Sequence, residues 1–378
     1  MRVAFVGTGD AALDRYPPGG GIEHQVWLLA RELARRGHEC AILTRDAAAE
    51  HAPGVRTLHV PMRGRGQVLG KLPMSWRAAR EVERFQPDVV YFSEKWVSLF
   101  PSFTRRASIY ATHNKDAFES YRAQAMRDHA VNRVFFPLKR RIEEGEMRRS
   151  SVVAANSPGV LDYVRSRGFG DAVLVPMAVD PDEFHEGEEA SRPYIYASGQ
   201  LLPVKGMRFL VDAFARVAPS RPEWDLVLGG RGPERAPLDA QVRARGLAPR
   251  IRFIDWLSRE VYTDVLSHAS FFVLPSLAET FGTVILDAMA SGKSVVATDI
   301  PGPRDVVVNG ETGLLVPPAD PDALASALAR LMDDAGQRAR MGKEGARQAR
   351  ERWSPRASVE AFERAASIAI ARVELPSF

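Results

Sequence analysis

The 378-residue chain contains a single cysteine, Cys40. An internal disulfide is therefore excluded, as is any zinc site built on paired thiolates. No apolar run approaches the ~18–20 residues that a membrane-spanning helix needs. The opening MRVAFVG has one basic residue and too few apolar ones for the core of a secretory signal. Charge of one sign is scarce overall: 51 Lys and Arg stand against 47 Asp and Glu, a net +4. Low-complexity segments and short-period repeats are lacking too. What remains is 45% hydrophobic and 26% charged, a globular composition that excludes disorder. The expectation is a soluble protein of a reducing compartment, the cytoplasm, with about two domains at roughly 150 residues each.

The small net charge hides a local one. Residues 56–149 hold nineteen basic side chains against ten acidic. One run, Arg63, Arg65, Lys71, Arg77, Arg80 and Arg84, is interleaved with Leu69, Leu72, Met74 and Trp76. Such a segment suits an anionic membrane surface, which would place the protein peripherally at the inner face of the membrane. A second run, from Arg127 through Arg133, Lys139, Arg140 and Arg141 to Arg148 and Arg149, includes Phe135 and Phe136. Solvated helix faces neutralised by Glu143, Glu144 and Glu146 explain it as well as an anionic ligand does. Nucleic-acid-binding motifs are absent, so a nucleic acid is not the expected partner.

Hydrophobic patterning supplies the architecture. VAFVG, ECAILT, PDVVYF, ASIYATH, SVVAANS and DAVLVPMAV are short apolar strands separated by helix-compatible stretches. Ile22, Val26, Leu29 and Leu33 recur at helical spacing, and Gly37 stands where a C-cap belongs. The polar, proline-ended HEGEEASRP, from His185 to Pro193, reads as a linker. After it YIYASG, WDLVLGG, RIRFID, SFFVLP, SVVATD and GLLVPP restart the alternation. Strands alternating with helices predict parallel sheets. The expectation is two doubly wound, Rossmann-like α/β domains facing a cleft, over residues 1–185 and 191–357. The last helix, 358–378, is expected to return to the first domain.

Ligands of such sheets sit beyond the carboxyl ends of the strands. Gly19, Gly20 and Gly21 lie between the first strand and first helix, where backbone can approach an anion, or simply turn. Their spacing fits neither a dinucleotide fingerprint nor a P-loop. In SGQLLPVKG, Gln200 and Lys205 follow a strand and precede a helix, and the lysine is a compact charge for a phosphate. A solvated lysine on a turn is the plain alternative. Glu279 occupies a loop after FFVLP, with Phe281, Gly282 and Thr283 at a helix start and Asp287 on the helix eight positions on. These carboxylates could accept hydrogen bonds from opposite ends of one extended ligand. Helix capping or salt bridging is the usual role of isolated carboxylates, but Asp287 sits in an apolar stretch and wants a partner. His24 reads as solvated.

Together GGIEHQVWLLARELARRGHE, ASGQLLPVKGMRFLVDAF, VLGGRGPER, VLPSLAETFGTVILDAMASGKSVVATD, GPRDVVVNGETGLLVPPAD and the closing RWSP resemble the GT-B glycosyltransferases. They are most similar to the large retaining family called family 4, which uses nucleotide-sugar donors. The resemblance implies that Gly20 and Gly21 pack against the donor diphosphate and that Lys205 binds it as a cation. Gly199 and Gln200 belong to the same donor-binding loop, and Gln200 stands where the family usually has arginine. Glu279 matches the acid that contacts the transferred sugar. Phe281, Gly282, Thr283 and Val284 match the stretch whose backbone meets phosphate and sugar. Asp287 matches the acid that holds the ribose hydroxyls, as aspartate where glutamate is usual. Ile254 and Asp255 match the base-binding strand end, where the family more often has glycine at Asp255, and His113 matches a histidine near the sugar.

The implied reaction moves a hexose-type sugar, with retention, from a nucleotide diphosphate sugar, uridine before guanosine, to a hydroxyl. The catalytic set would be Lys205 with Glu279 and His113. The acceptor is a sugar, a small molecule or a lipid-linked, anionic compound. No metal and no cofactor are expected, since a lysine and helix N-termini take the place of a divalent ion. Replacing Lys205 or Glu279 by alanine should abolish transfer and leave the unfolding profile nearly unchanged. A nucleotide-sugar epimerase or phosphorylase on the same fold is the alternative, and a non-catalytic protein that binds anionic surfaces is a third reading.

Overall fold

The computed structural model describes residues 1–6, 21–44, 54–60, 71–93, 104–112 and 141–374. They form two units. The first draws on the chain up to Ala178 and takes back its end from Pro355, while the second runs from Val179 to Ser354. Among the described residues, no helix is long and apolar enough to cross a membrane.

The first unit is built on seven strands: β1 (Arg2–Val6), β2 (Glu39–Thr44), β3 (Val55–His59), β4 (Val89–Ser93), β5 (Ala107–Thr112), β6 (Val152–Ala155) and β7 (Val173–Leu174). Their order is β3-β2-β1-β4-β5-β6-β7, and every pair is parallel. Parallel strands are covered by helices on both faces and must be apolar on both. Val3, Phe5 and Val6 of β1 and Val89, Val90 and Phe92 of β4 are accordingly buried throughout. Gly37 ends the first helix, Gly21–Arg35, in the left-handed region at φ 86°, as its position after the last apolar residue predicts.

β3 is not evident from the sequence. Its VRTLH has no apolar run because it is a mostly exposed edge strand, held through β2. DAVLVPMAV contributes only Val173 and Leu174 to the sheet. Backbone pairing nevertheless runs on past the strand, as Val175 donates its N–H to the Ala155 carbonyl at 2.9 Å and Met177 to the Asn156 carbonyl at 3.0 Å. His24 departs from the solvated reading: it is half-buried and its ring stacks on Trp27, 5.9 Å away at 21°.

The last helix, Pro355–Glu374, packs into this unit, where the Phe362 ring lies 6.0 Å from Phe5 and 5.7 Å from Tyr91. A buried amide adds a polar tie beside this apolar packing. Gln25 donates to the Pro176 carbonyl (3.1 Å) and to the Ser358 hydroxyl (2.9 Å), and accepts from the Ala178 N–H (2.7 Å). Ser358 closes the ring by donating to the Pro176 carbonyl at 2.7 Å.

The second unit repeats the plan with β8 (Tyr194–Ser198), β9 (Asp225–Gly229), β10 (Ile251–Ile254), β11 (Phe271–Leu274), β12 (Val295–Thr298) and β13 (Gly313–Val316). Their order is β10-β9-β8-β11-β12-β13, again all parallel. Helix Met207–Val217 buries Met207, Leu210, Val211, Phe214 and Val217 at the spacing of one helical face. Strand order reverses beside β8, between β8 and β11, the kind of point at which open α/β sheets bind ligands.

Two outcomes follow for the first unit. Gln25→Ala orphans the Ala178 N–H and should lower stability by about 1–3 kcal/mol, read as a shifted denaturant midpoint. Cys40 is fully buried, and burial pushes its thiol up to about 12, so alkylating reagents should modify it only after unfolding. Between the ordinary thiol value of 9.0 and about 12 the unfolded chain ionises while the folded one does not, so this group favours unfolding as pH rises through that window.

Candidate functional site

The residues singled out in the second unit gather on the loops that follow β8 to β11. Gly199 donates its N–H to the Gly229 carbonyl at 3.1 Å, and Leu201 to the Arg231 carbonyl at 2.8 Å, which ties the loops after β8 and β9 together. Pro203–Lys205 makes one tight turn, and Gly206 closes it at φ 64° before helix Met207–Val217 begins. Gly206 is there by necessity: a Cβ would stand 2.0 Å from the Pro275 carbonyl oxygen. Leu277 donates its N–H to the Val204 carbonyl at 2.7 Å. The loops after β8 and β11 are thus fastened backbone to backbone across the point where strand order reverses.

This fastening sets Lys205 against Glu279. The ammonium donates to Oε2 of the carboxylate, and the two side chains are only 17% and 8% exposed. Ser276 places its hydroxyl 3.4 Å from the same oxygen, and Thr280 donates its N–H to Oε1 at 3.1 Å. Ser276 is itself anchored, since its carbonyl accepts from the Thr298 hydroxyl at 2.6 Å. Gly282 follows in the left-handed region at φ 88° and opens helix Thr283–Ala290 with no side chain capping it. Uncapped N–H groups at a helix start are a ready site for an anion. A phosphate arriving there could share Lys205 with Glu279 or take the lysine over, and the carboxylate would then turn to a sugar hydroxyl.

Thr283 and Val284 are half-buried at this helix start, and Phe281 is buried edge-on against Trp353, with ring centroids 5.4 Å apart. Asp287, one turn into the helix, is 4% exposed and accepts from the Tyr262 hydroxyl at 3.0 Å. Gln200 is exposed beside Gly199. The Ile254 carbonyl accepts from the Gly230 N–H at 2.9 Å, and exposed Asp255 pairs with Arg231 (3.2 Å) and Arg235 (3.7 Å). Gly21 is the first residue of the first unit's opening helix, and Gly20 and His113 lie outside the described residues.

Sequence reasoning passed over Ser276, Gly206 and Tyr262. Only Gly206 carried a signal, as a glycine directly before a helix. Two Asp-Pro-Asp runs have the spacing of a metal-binding pair, and both serve as caps. Asp180 accepts from the Asp182 N–H at 3.1 Å, and Asp320 from the N–H groups of Asp322 (3.0 Å) and Ala323 (2.9 Å). Among the described residues, no group of three or more His, Cys, Asp or Glu is placed to hold a metal.

The ion pair corrects one expectation. Breaking a largely buried pair by removing one partner leaves an uncompensated charge, at a loss of roughly 3–5 kcal/mol when burial is complete. Alanine at Lys205 or Glu279 alone should therefore shift the unfolding profile to lower stability.

Comparison with known proteins finds glycosyltransferases. A family described as "Glycosyl transferases group 1" matches residues 179–348, and one described as "Glycosyltransferase Family 4" matches residues 19–183. An alpha-D-kanosaminyltransferase of Streptomyces kanamyceticus is 31% identical over 201 residues, 53% of this chain and 52% of that protein. A D-inositol 3-phosphate glycosyltransferase of Corynebacterium efficiens is 29% identical over 395 residues, 93% of this chain and 91% of that protein. The chain thus spans about half the length of the first relative and nearly all of the second. The crystal structure of Anabaena HepE in complex with UDP-glucose superposes with a TM-score of 0.77 at 19% identity, covering 97% of this chain and 100% of that one. The fold is GT-B.

Gly206→Ala tests the fastening directly. The added methyl must push the Pro275 carbonyl away and drag Lys205 from Glu279. Binding of inorganic pyrophosphate, measured by calorimetry, should weaken at least tenfold (roughly 1.4 kcal/mol).

Proposed function

The chain belongs to the group 1 glycosyl transferases, and from that premise we propose that it moves a hexose-type sugar from a nucleoside diphosphate sugar to an acceptor hydroxyl with retention of configuration. The observation that carries this reading is the Lys205–Glu279 pair at the switch point, beside an uncapped helix start. A cation and backbone N–H groups favour a departing diphosphate, whereas a carboxylate and nearby hydroxyls favour a sugar. In this reading the bond from the anomeric carbon to the diphosphate breaks as the acceptor oxygen bonds to the same face. The acceptor's proton passes to a diphosphate oxygen. Lys205 stabilises the charge that develops there, and Glu279 orients the sugar.

Uridine is proposed as the base ahead of guanosine, in keeping with the UDP-glucose held by the structurally similar HepE. A metal is not part of the proposal, because Lys205 and the helix start supply the positive charge. His113 and Gly20 remain proposed contacts to sugar and diphosphate.

An anionic or lipid-linked acceptor is proposed from the first unit. Helix Lys71–Phe85 turns Ser75, Ala78, Ala79, Val82 and Phe85 inward and leaves Arg77, Arg80 and Arg84 exposed, with Trp76 48% exposed and the Arg80 guanidinium 4.9 Å above its ring. The described part of the second basic run is similar, with Arg141, Arg148 and Arg149 exposed. Arg149 pairs with Glu146 at 3.1 Å as Arg84 does with Glu81 at 2.5 Å, and Arg148 lies over Phe169 at 5.1 Å. The inositol phosphate acceptor in the name of the Corynebacterium relative is of the matching charge class.

Acceptor-dependent release of nucleoside diphosphate from a panel of nucleotide sugars tests the reaction. Release without an acceptor, or exchange of sugar configuration on the nucleotide, would point to a hydrolase or an epimerase instead. Lys205→Ala should lower kcat by about 10²–10³. The double variant Lys205→Ala/Glu279→Ala should be as inactive but more stable than either single one, because it leaves no lone buried charge.

A further inference from the structure

Asp287 presents a physical problem. Its neighbours on the helix, Ile285, Leu286, Ala288 and Met289, are each no more than 1% exposed, and the carboxylate is buried among them. A charge in such surroundings needs a donor and a fixed orientation. Tyr262 meets both needs. Its hydroxyl donates to Oδ2 at 3.0 Å, and the residue is itself only 5% exposed.

The phenol is packed on its ring side. Its ring lies 6.2 Å from that of Tyr196, which stands edge-on to Phe272 at 5.9 Å. Gly229 closes the stack from the other side, where a Cβ would come within 2.7 Å of the Tyr196 hydroxyl. Tyr262 belongs to helix Arg259–His268, which Ser258 caps directly after the Asp255 loop. This hydrogen bond joins the helix after β10 to the helix after β11.

Asp287 and Thr283 are four residues apart, so they share one helix face about 6 Å apart along the axis. The uncapped helix start offers itself to phosphate, and the carboxylate one turn below accepts hydroxyls. A nucleoside 5′-diphosphate carries its phosphates and its ribose diol at a comparable separation.

We propose that Tyr262 is the positioning residue for Asp287, fixing the plane of its carboxylate so that the site selects the ribose diol of a nucleoside diphosphate over the deoxy sugar. This rests on the donor reading above and adds to it the residue that sets sugar selectivity on the nucleotide side. A plain structural role, in which the pair only ties two helices together, is the competing explanation.

Calorimetry with the full chain separates the two. The probes are UDP and GDP, the 2′-deoxy and 3′-deoxy forms of each, and inorganic pyrophosphate. The wild type should bind the ribo form of one nucleotide at least tenfold more tightly than its deoxy forms. Tyr262→Phe removes one oxygen and keeps the ring stack. It should weaken the ribo form five- to tenfold, bring ribo and deoxy within twofold of each other, and leave pyrophosphate unchanged. Asp287→Asn should do the same, and Tyr262→Phe/Asp287→Asn should be no worse than Asp287→Asn alone. A Tyr262→Phe variant that keeps the wild-type ribo preference overturns the inference, as does one that weakens pyrophosphate by the same factor as the nucleotide. A wild type that binds neither nucleotide sinks the donor reading itself, and this inference with it.

Discussion

The carbonyl of Pro275 lies against the bare Cα of Gly206, where a methyl group would be 2.0 Å from its oxygen, and the Leu277 N–H reaches the Val204 carbonyl alongside. Backbone-to-backbone contact of this kind tolerates no adjustment by rotamer. The two loops it joins leave β8 and β11, the strands between which chain order reverses. Lys205 stands one residue before Gly206 and Glu279 four after Pro275, so their pairing is inherited from the main chain. Glu279 is then held from three directions, by Lys205, Ser276 and the Thr280 N–H. The left-handed Gly282 that follows aims a helix start at the same place.

That arrangement holds opposite charges in contact in a largely buried place. A buried ion pair contributes little net stability, because desolvation offsets the Coulombic attraction. In the proposed reading Lys205 exchanges this partner for the diphosphate, and Glu279 turns to a sugar hydroxyl. Arg231 and Asp255 repeat the motif in weaker form on the neighbouring loops, exposed and more easily screened. Asp287 represents the other solution: a carboxylate kept in an apolar helix by a neutral donor, with the donor locked in an aromatic stack.

Much of this was legible in advance. All of the expected strands formed, and Gly37 capped its helix, because apolar runs and glycine in the left-handed region are local signals. β3 escaped notice because an edge strand need not be apolar, and only pairing with β2 makes VRTLH extended. His24 was misjudged because helical spacing says which face a residue is on, not that Trp27 will cover it. The basic runs look alike as composition and in their described parts, since each leaves arginines exposed and pairs one of them with a nearby glutamate, Arg84 with Glu81 and Arg149 with Glu146.

By itself the sequence determined two doubly wound sheets, the loops proposed to carry chemistry, and the residue types on those loops. Period and glycine placement encode these, and each depends on neighbours within a few positions. The tertiary structure alone decided that Lys205 meets Glu279 across 74 positions and that Asp287 meets Tyr262 across 25. Such pairings depend on strand order and on how closely two backbones approach. A tyrosine in an amphipathic helix gives no sign of the carboxylate it will hold until the neighbouring helix has packed against it.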